Sequence, residues 1–355
     1  MSKVVVLKTE PNRVLADYST LLTKAGFTKH VPKKYETVLK LNLSWSQYYP
    51  ACSTEPWQLE GVLKFLKDNK YKNVHPMENK TVVTDVWKGA VGNKWLPILK
   101  KYDLEYKPLT RAKWVKYKPK AELLALHKVF HHEHYIPEFF IGKNVVHFPT
   151  VKTHGHTKMT GAMKNAFGGL ITQKRHHCHK YIHDVLVDLL QIQKEIHKGI
   201  FAVMDGTVCG DGAGPRTMEP RIKDYILASN DQVAIDAVSA KMMGFDPMKI
   251  RFIKKAHDLG LGCGDVKQLD IEGEDISRVN FKFTSKKSAV IMGDQLMRNK
   301  VDFIQKILFH TPLFKICIFG SEFYHDRLWY PTIGRMKINK FNKTKWGKLW
   351  RKYEA

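Results

Sequence analysis

The sequence lacks long apolar runs, and this shortage excludes several classes of protein. No window of eighteen residues is apolar throughout and free of charge, so we expect no transmembrane helix. The run Val4–Leu7 holds only four apolar residues, which is too short for the core of a secretory signal. We interpret it as a first β-strand.

Cysteine is scarce as well. The chain has five cysteines in 355 residues, and none of them belongs to a CxxC pair. Ferredoxin-type and zinc-ribbon ligand sets are therefore absent, and an iron–sulfur cluster is not expected. An odd number of widely separated cysteines without a secretion signal predicts reduced thiols in a cytoplasmic setting, with attachment to a membrane periphery as a further option.

Acidic residues are few relative to basic ones. Lysine and arginine number 59 against 34 aspartates and glutamates, which gives a net charge of +25. A field of this sign attracts nucleic acid, anionic lipid head groups, or phosphorylated and carboxylated metabolites. Charge alone does not choose among these partners, and adaptation to a basic or salty cellular milieu is an alternative explanation.

The apolar runs that are present alternate between strand and helix patterns, which predicts an α/β fold. We expect two lobes built on mainly parallel sheets flanked by helices, followed by a basic C-terminal tail. The predicted units are an N-terminal lobe over residues 1–145, a second lobe over 146–300 that carries the site motifs, and a basic aromatic segment over 301–355.

The stretch TGAMKNAFGGL, residues 160–170, predicts a short helix with an unusual beginning. The first turn of a helix offers free N–H groups, and Lys158 and Lys164 add positive charge nearby. Thr160 and Gly161 allow a ligand to approach the backbone. These features are typical of an anion-binding helix start, although a packed helix with a snorkelling lysine has the same pattern.

Histidines surround this helix. His154 and His156 precede it, and His176, His179 and His183 would share one face of a helix at spacings of three and four residues. That face predicts a divalent-metal site or a proton-transfer cluster, and the run at 131–134 is a second candidate. Solvated or anion-contacting histidines are the alternative, because no HExxH spacing is present.

The loop DGTVCGDGAGPR, residues 205–216, follows a strongly predicted strand. Ligands of parallel α/β sheets bind beyond such strand ends, where Asp205 stands. Gly212 and Gly214 permit close backbone approach, and Arg216 offers a guanidinium group to a carboxylate or phosphate. The glycine spacing matches neither a dinucleotide fingerprint nor a Walker loop, so a purely structural loop is the alternative.

The last thirty residues interleave aromatic side chains with cations, which suits an RNA strand or an anionic membrane surface. The alternative is that these aromatic residues pack on the protein itself. The candidate nucleic-acid or membrane contacts are Arg327, Trp329, Arg335, Lys345, Trp346, Trp350 and Arg351.

Five segments occur in an order that resembles the domain-of-unknown-function family 362 over residues 35–275. They are LNLSW, STEPWQLEGVLKFLKD, VKTHGHTKMTGAMKNAFGGL, MDGTVCGDGAGPR and ASNDQVAIDAVSAKMMGFDP. The resemblance implies the fold and the site region rather than a reaction. Some members carry ferredoxin-like cysteine motifs, which this chain lacks. A fainter likeness connects the Lys/His region with the N-terminal domain of lactate racemase-like proteins, in which such residues hold a nickel-pincer nucleotide.

These features lead to one main hypothesis, an enzyme that binds an anionic small molecule or cofactor in a cleft between the lobes. His154, Lys164 and Asp205 are the predicted catalytic residues, and an isomerase, a lyase or an oxidoreductase would suit them. The predicted binding residues are Asn42, Lys158, Thr160, Gly161, Asn165, Gly212, Gly214, Arg216 and Asp236.

The rival hypotheses are an RNA-binding or membrane-associated protein that uses the tail, and a metal-binding or redox protein that uses the histidines. The sequence identifies neither the substrate, nor the metal, nor the oligomeric state.

Overall fold

Alternating apolar residues build the strands of the protein, which is described by a computed structural model over residues 1–81, 83–286, 292–293, 311 and 313–353. The strands are β1 Lys3–Lys8, β2 Thr37–Lys40, β3 Val74–Glu78, β4 Lys107–Pro108, β5 Trp114–Lys116, β6 Tyr135–Pro137, β7 Asn144–His147, β8 Thr150–His154, β9 Lys158–Met159, β10 Gly199–Ala213, β11 Thr217–Ser229 and β12 Asp270–Gly273.

The helices between these strands bury one apolar face each. They are α1 Val14–Lys24, α2 Phe27–His30, α3 Pro56–Asp68, α4 Val86–Gly92, α5 Trp95–Lys101, α6 Leu126–Phe130, α7 Ala162–Leu170, α8 Ile182–Ile196, α9 Gln232–Met243, α10 Arg251–Asp258, α11 Phe314–Glu322, α12 Arg335–Asn342 and α13 Lys345–Lys352. A 3₁₀ segment, Gln173–Tyr181, leads into α8, and a π-helical segment, Phe323–Gly334, joins α11 to α12.

One large sheet organises the described chain. Its strand order is β12-β1-β11-β10-β7-β2-β3-β4, and β8 pairs with β10 and with β9. The central pairs of β10, β7, β2, β3 and β4 are all parallel, whereas β11 runs antiparallel to both β1 and β10. The predicted class, mixed α/β with a mainly parallel sheet flanked by helices, is confirmed. The predicted boundary at residue 145 falls inside this sheet, and the division into lobes stays a prediction.

Neighbouring residues of each strand enter opposite cores, because side chains alternate across a sheet. In β10, Met204 belongs to the core under α7, α8, α9 and α10. Phe201 and Val203 belong to the core under α1, α3 and the C-terminal helices. This alternation decides which predicted site residues can meet.

None of the helices within the described residues is long and apolar enough to cross a bilayer. This agrees with the expectation from the sequence.

Candidate functional site

A cavity of about 540 Å³ lies beyond the carboxyl ends of three strands. Lys40 ends β2, Glu78 ends β3 and His154 ends β8, and all three line it. Ligands of parallel α/β sheets bind at this edge. The other lining residues come from α7, the 3₁₀ segment, the β10–β11 turn, α11 and nearby loops: Asn42, Leu43, Ser44, Thr81, Val83, His156, Lys164, Asn165, Phe167, Gly168, Arg175, His176, His179, Ala213, Gly214, Pro215, Arg216, Gly293, Cys317, Ile318, Gly320, Ser321 and His325.

Lys164 projects from α7 into this cavity. Its amine lies 5.2 Å from the centre of the Phe167 ring, and no residue that the structure describes accepts a hydrogen bond from it. Burial lowers the pKa of Lys164 to about 7, with help from the charges of Lys152 and Arg175. The amine is therefore close to half-protonated at neutral pH.

Two arginines add further positive charge. The Nη2 of Arg216 donates to Ser321 Oγ at 3.1 Å, while its Nη1 is buried and has no hydrogen-bond partner among the residues that the structure describes. Arg175 donates to the carbonyl oxygens of Gly168 and Ile171 at the end of α7. A buried N–H of a cation without an acceptor is costly, so the Nη1 of Arg216 marks a place where an anion would be stabilised.

The cavity floor holds a buried ion pair that the sequence analysis missed. The Lys40 amine lies 2.7 Å from Glu78 Oε1 and also donates to the Leu41 carbonyl. Burial lowers the pKa of Lys40, and the adjacent carboxylate opposes that shift. Because the two charges compensate each other, this pair adds little net field. Lys152 is satisfied too, by Asn42 Oδ1 and two other oxygens.

Four histidines gather at one side of the cavity. The ring centres of His154 and His156 are 5.8 Å apart, and those of His156 and His179 are 4.9 Å apart. His176 lines the same wall. Burial holds the pKa of His154 well below its usual value, and the charge of Lys164 lowers it further. The His154 imidazole is therefore neutral at pH 7.

The predicted metal face of three histidines does not form. The chain is 3₁₀-helical through His176 and His179 and becomes α-helical only at Ile182, so a single helical period does not connect all three. His183 instead stacks on Phe252, at 5.9 Å between ring centres. His183 is not among the residues that line the cavity.

No group of three or more His, Cys, Asp or Glu side chains suited to a metal ion occurs among the residues that the structure describes. In the run at 131–134, Glu133 pairs instead with Lys116 at 3.1 Å. The described part of the chain thus gives the metal hypothesis no ligand set.

Asp205 lies outside the cavity, which corrects its predicted role beside His154. Its carboxylate accepts hydrogen bonds from Tyr18 Oη at 2.7 Å, Trp57 Nε1 at 2.9 Å, and both N and Oγ1 of Thr207. Residue 205 has the same parity in β10 as Val203, so it faces α1 and α3, away from α7. Asp205 therefore organises a core, and burial raises its pKa.

The start of α7 is already occupied, which corrects the predicted anion site there. Asp236 accepts from Ala162 N at 2.6 Å and Met163 N at 3.1 Å, and burial raises its pKa to about 8. A Cβ added to Gly161 would stand 2.3 Å from this carboxylate, so only glycine fits. The Asp236 side chain thus supplies the acceptor oxygens that an external ligand would otherwise provide.

Two other predicted binding residues of this region also have internal partners. Thr160 donates to the carbonyl oxygens of Thr150 and Lys152. Lys158 is exposed, and its amine lies 4.9 Å from the Phe245 ring. Neither of them lines the cavity.

Asn42, Asn165 and Gly214 do line the cavity. The amide of Asn165 donates to the Lys40 carbonyl at 2.8 Å and so fixes α7 to the end of β2. A Cβ on Gly214 would lie 1.9 Å from the Thr153 carbonyl oxygen, so the hairpin turn packs backbone to backbone on β8. Gly212, at φ +101°, supports this turn without lining the cavity.

The tail aromatics pack on the protein, which corrects their predicted role as exposed stacking platforms. Trp329 and Trp346 are buried, and the Trp346 indole donates to Asp224 at 2.6 Å. Trp350 stacks on Tyr48 at 4.2 Å between ring centres. Of the predicted cations, Lys345 pairs with Asp224, whereas Arg327, Arg335 and Arg351 are exposed.

Lys40, Glu78, Lys152 and Arg175 are the site residues that sequence reasoning missed. Lys40 and Glu78 end neighbouring parallel strands, and this register brings their side chains together at one edge of the sheet. Arg175 lies in the histidine-rich run, where the sequence pattern drew attention to the imidazoles and not to the guanidinium group.

The geometry defines a class of protein: a mixed α/β chain with a mainly parallel sheet and a cation-rich cavity at its carboxyl edge. The chain belongs to the family described as "Domain of unknown function (DUF362)", which matches residues 37–241 and confirms the resemblance seen in the sequence.

A relative carries a more specific description. The chain is 25% identical over 258 residues to the "Thylakoid-associated protein sll1697" of Synechocystis sp. (strain ATCC 27184 / PCC 6803 / Kazusa), and the match covers 71% of this chain and 77% of that protein. No solved structure matches the chain. The lactate racemase likeness is not among these matches and stays a prediction.

Proposed function

We propose that the protein is an enzyme that binds an anionic small molecule or cofactor in the cavity and transfers a proton to or from it. The observation that carries this proposal is the buried Nη1 of Arg216, a residue that lines the cavity, because this atom has no hydrogen-bond partner within the described part of the chain. An anionic oxygen would satisfy this donor.

The charge balance of the cavity supports an anionic ligand. Its lining contains the cations Lys40, Lys164, Arg175 and Arg216 against a single carboxylate, that of Glu78. The ion pair between Lys40 and Glu78 cancels one of these positive charges. The other cations are partly or wholly withdrawn from water, and an anion would offset the cost of burying them.

Lys164 is the group best suited to move a proton. A pKa of about 7 leaves both its protonated and neutral forms populated at neutral pH, as general acid–base catalysis requires. His154 lies close enough for the Lys164 charge to lower its pKa, and its Nδ1 accepts a hydrogen bond from His156 N at 3.1 Å, so its neutral ring can donate a hydrogen bond through Nε2. Proton abstraction next to a carboxylate, as in isomerases and lyases, fits this pair, while redox chemistry is the alternative.

The apolar part of the lining restricts the ligand further. Leu43, Val83, Phe167 and Ile318 face the same space as the cations. A ligand that fills the cavity therefore combines an anionic group with a nonpolar portion. Inorganic ions alone would leave this apolar surface uncovered.

The test compares two arginines of one hairpin. Arg216 lines the cavity, whereas Arg221 is a half-exposed residue of β11 that approaches Asp211 at 4.0 Å. Untagged protein is examined by native mass spectrometry, and thermal shifts are measured with inorganic phosphate, lactate and longer-chain 2-hydroxy acids. We expect copurified or added anions to raise the melting temperature of the wild type and of Arg221→Gln, and not of Arg216→Gln.

Lys164→Met separates catalysis from binding. We expect this variant to fold and to lose turnover of the identified ligand by at least about a hundredfold, the usual contribution of a general acid or base. Equal ligand shifts in the two arginine variants would remove the basis for anion binding. Full turnover by Lys164→Met would refute its role in proton transfer.

The packing of the tail aromatics argues against the rival hypothesis of RNA binding through the tail. That hypothesis needs exposed aromatic rings on which bases stack, and Trp329, Trp346 and Trp350 use their rings for internal packing.

A further inference from the structure

The outer face of the helical segment from Leu313 to Met336 exposes large apolar side chains. Seven of the sixteen large apolar residues that are exposed in the described chain lie within this segment. We call them the outer stripe: Leu313, Ile316, Phe319, Phe323, Leu328, Ile333 and Met336. Scattered exposed apolar residues need no explanation, but such a concentration marks a contact surface.

Exposed apolar residues recur along the whole segment. Ile316 and Phe319 lie in α11 at a spacing of three residues, and the Phe319 ring stacks on that of Phe323, the first residue of the π-helical segment, at 6.2 Å between centres. Within the π-helical segment, Leu328 and Ile333 follow at intervals of five residues and are exposed as well.

The inner face of the same segment packs on the protein. Trp329 is buried, and its ring packs against Trp45 and Tyr49. A helix that is apolar on both faces needs a second apolar environment beyond the core on which it lies. No residue that the structure describes covers the outer stripe, whose side chains are exposed.

The charged residues beside the outer stripe favour an anionic partner. Lys315, Arg327 and Arg335 are exposed next to Ile316, Leu328 and Met336 in the sequence. The segment also has two acids, Glu322 and Asp326, which are both half-buried, and Asp326 accepts a hydrogen bond from the Trp45 indole. Apolar side chains flanked by cations match a bilayer surface with anionic head groups, into which a helix lays its apolar face.

We propose that the outer stripe docks the protein on an anionic phospholipid surface, with the segment 313–336 lying in the plane of the interface. Docking inserts the exposed rings of Phe319 and Phe323 at the level of the acyl boundary, while Lys315, Arg327 and Arg335 contact phosphate groups. This surface is separate from the ligand chemistry of the cavity, and either proposal can fail without the other.

The experiment is flotation of the purified full chain with vesicles of phosphatidylcholine, with and without phosphatidylglycerol. The variants are Phe319→Glu and Ile316→Glu, and the matched control is Val91→Glu, because Val91 is 63% exposed and Ile316 is 65% exposed. We expect binding to the anionic vesicles, a loss of at least about tenfold in partitioning for each stripe variant, and no loss for the control. Replacing Arg327 and Arg335 by glutamine should weaken binding by about fivefold per charge.

Three results would overturn the proposal. The first is equal vesicle binding by Phe319→Glu and Val91→Glu. The second combines two observations: the wild type does not bind vesicles, and it self-associates in sedimentation velocity unless Phe319→Glu is introduced. This result would assign the stripe to a second copy of this chain. The third is a lower melting temperature for Phe319→Glu than for Val91→Glu without lipid, which would show that the chain itself covers the stripe.

Discussion

Two buried polar clusters on opposite faces of the sheet differ in how their charges are satisfied. Around Asp205, the protein supplies donors to both carboxylate oxygens, from Tyr18, Trp57 and Thr207. In the cavity, neither the buried Nη1 of Arg216 nor the Lys164 amine has a hydrogen-bond acceptor within the described chain. We call these the carboxylate cluster and the cation cavity.

This difference separates structural from functional roles better than residue type does. Asp205 stands before a glycine-rich loop, and this position predicted a catalytic role. Its carboxylate oxygens, however, accept hydrogen bonds from the protein itself, which leaves no capacity for a ligand. The cations of the cavity differ in this respect, because hydrogen bonds and opposite charges within the protein offset the cost of burying them only in part.

The largest expected effect is in the carboxylate cluster. Asp205→Ala should lower the free energy of unfolding by about 3–5 kcal/mol, because it leaves several buried donors unpaired. Asp258→Ala is the matched control: Asp258 pairs with Lys254 at the surface, and its loss should change stability by less than about 1 kcal/mol. Urea unfolding measures both. Equal stabilities would contradict the structural assignment of Asp205.

A smaller effect is expected at the start of α7. Asp236→Ala removes the acceptor of two helix N–H groups and should cost about 1–2 kcal/mol in urea unfolding. Asp236→Asn keeps an acceptor oxygen and should cost less. If the alanine variant also bound an added anion at this helix start, the side chain would be shown to act as a built-in substitute for one.

The smallest change in stability is expected in the cation cavity, where the substitution should stabilise the protein instead of destabilising it. The folded-state pKa of Lys164, about 7, lies below its ordinary value of 10.5, so its contribution to stability is present above pH 10.5 and is lost as pH falls through 7. Lys164→Met should therefore raise the melting temperature by about 2 °C at pH 6, with little change at high pH.

The exposed Lys158 provides the control for this prediction, because Lys158→Met should shift the melting temperature equally at both pH values. A Lys164→Met variant that is less stable than the wild type at pH 6 would contradict an unfavourable burial of the Lys164 charge.

The sequence predicted the α/β class and the family, since these follow from the alternation of apolar runs and from motif order. It also indicated His154, Lys164, Asn165 and Arg216, which the structure brings to one cavity. It could not place Asp205, because periodicity shows that alternate residues face opposite sides and does not show which side α7 covers.

The C-terminal segment shows the same limit of sequence patterns. Aromatic residues occur on both faces of its helices, and spacing alone does not distinguish the buried Trp329 from the exposed Phe319. The ion pair between Lys40 and Glu78 depends on strand order, which the sequence did not provide.

The hairpin turn at Gly214 has a consequence for how this cavity can change during evolution. Its backbone is bonded directly to β8, through Gly155 N to Gly214 O and Thr153 Oγ1 to Gly212 O. At Gly214 the lining is main chain held close to β8, so a substitution there would add a side chain and could not enlarge the cavity. Relatives that accept bulkier ligands are expected to gain room where replaceable side chains line it, such as Cys317 and Ile318 of α11.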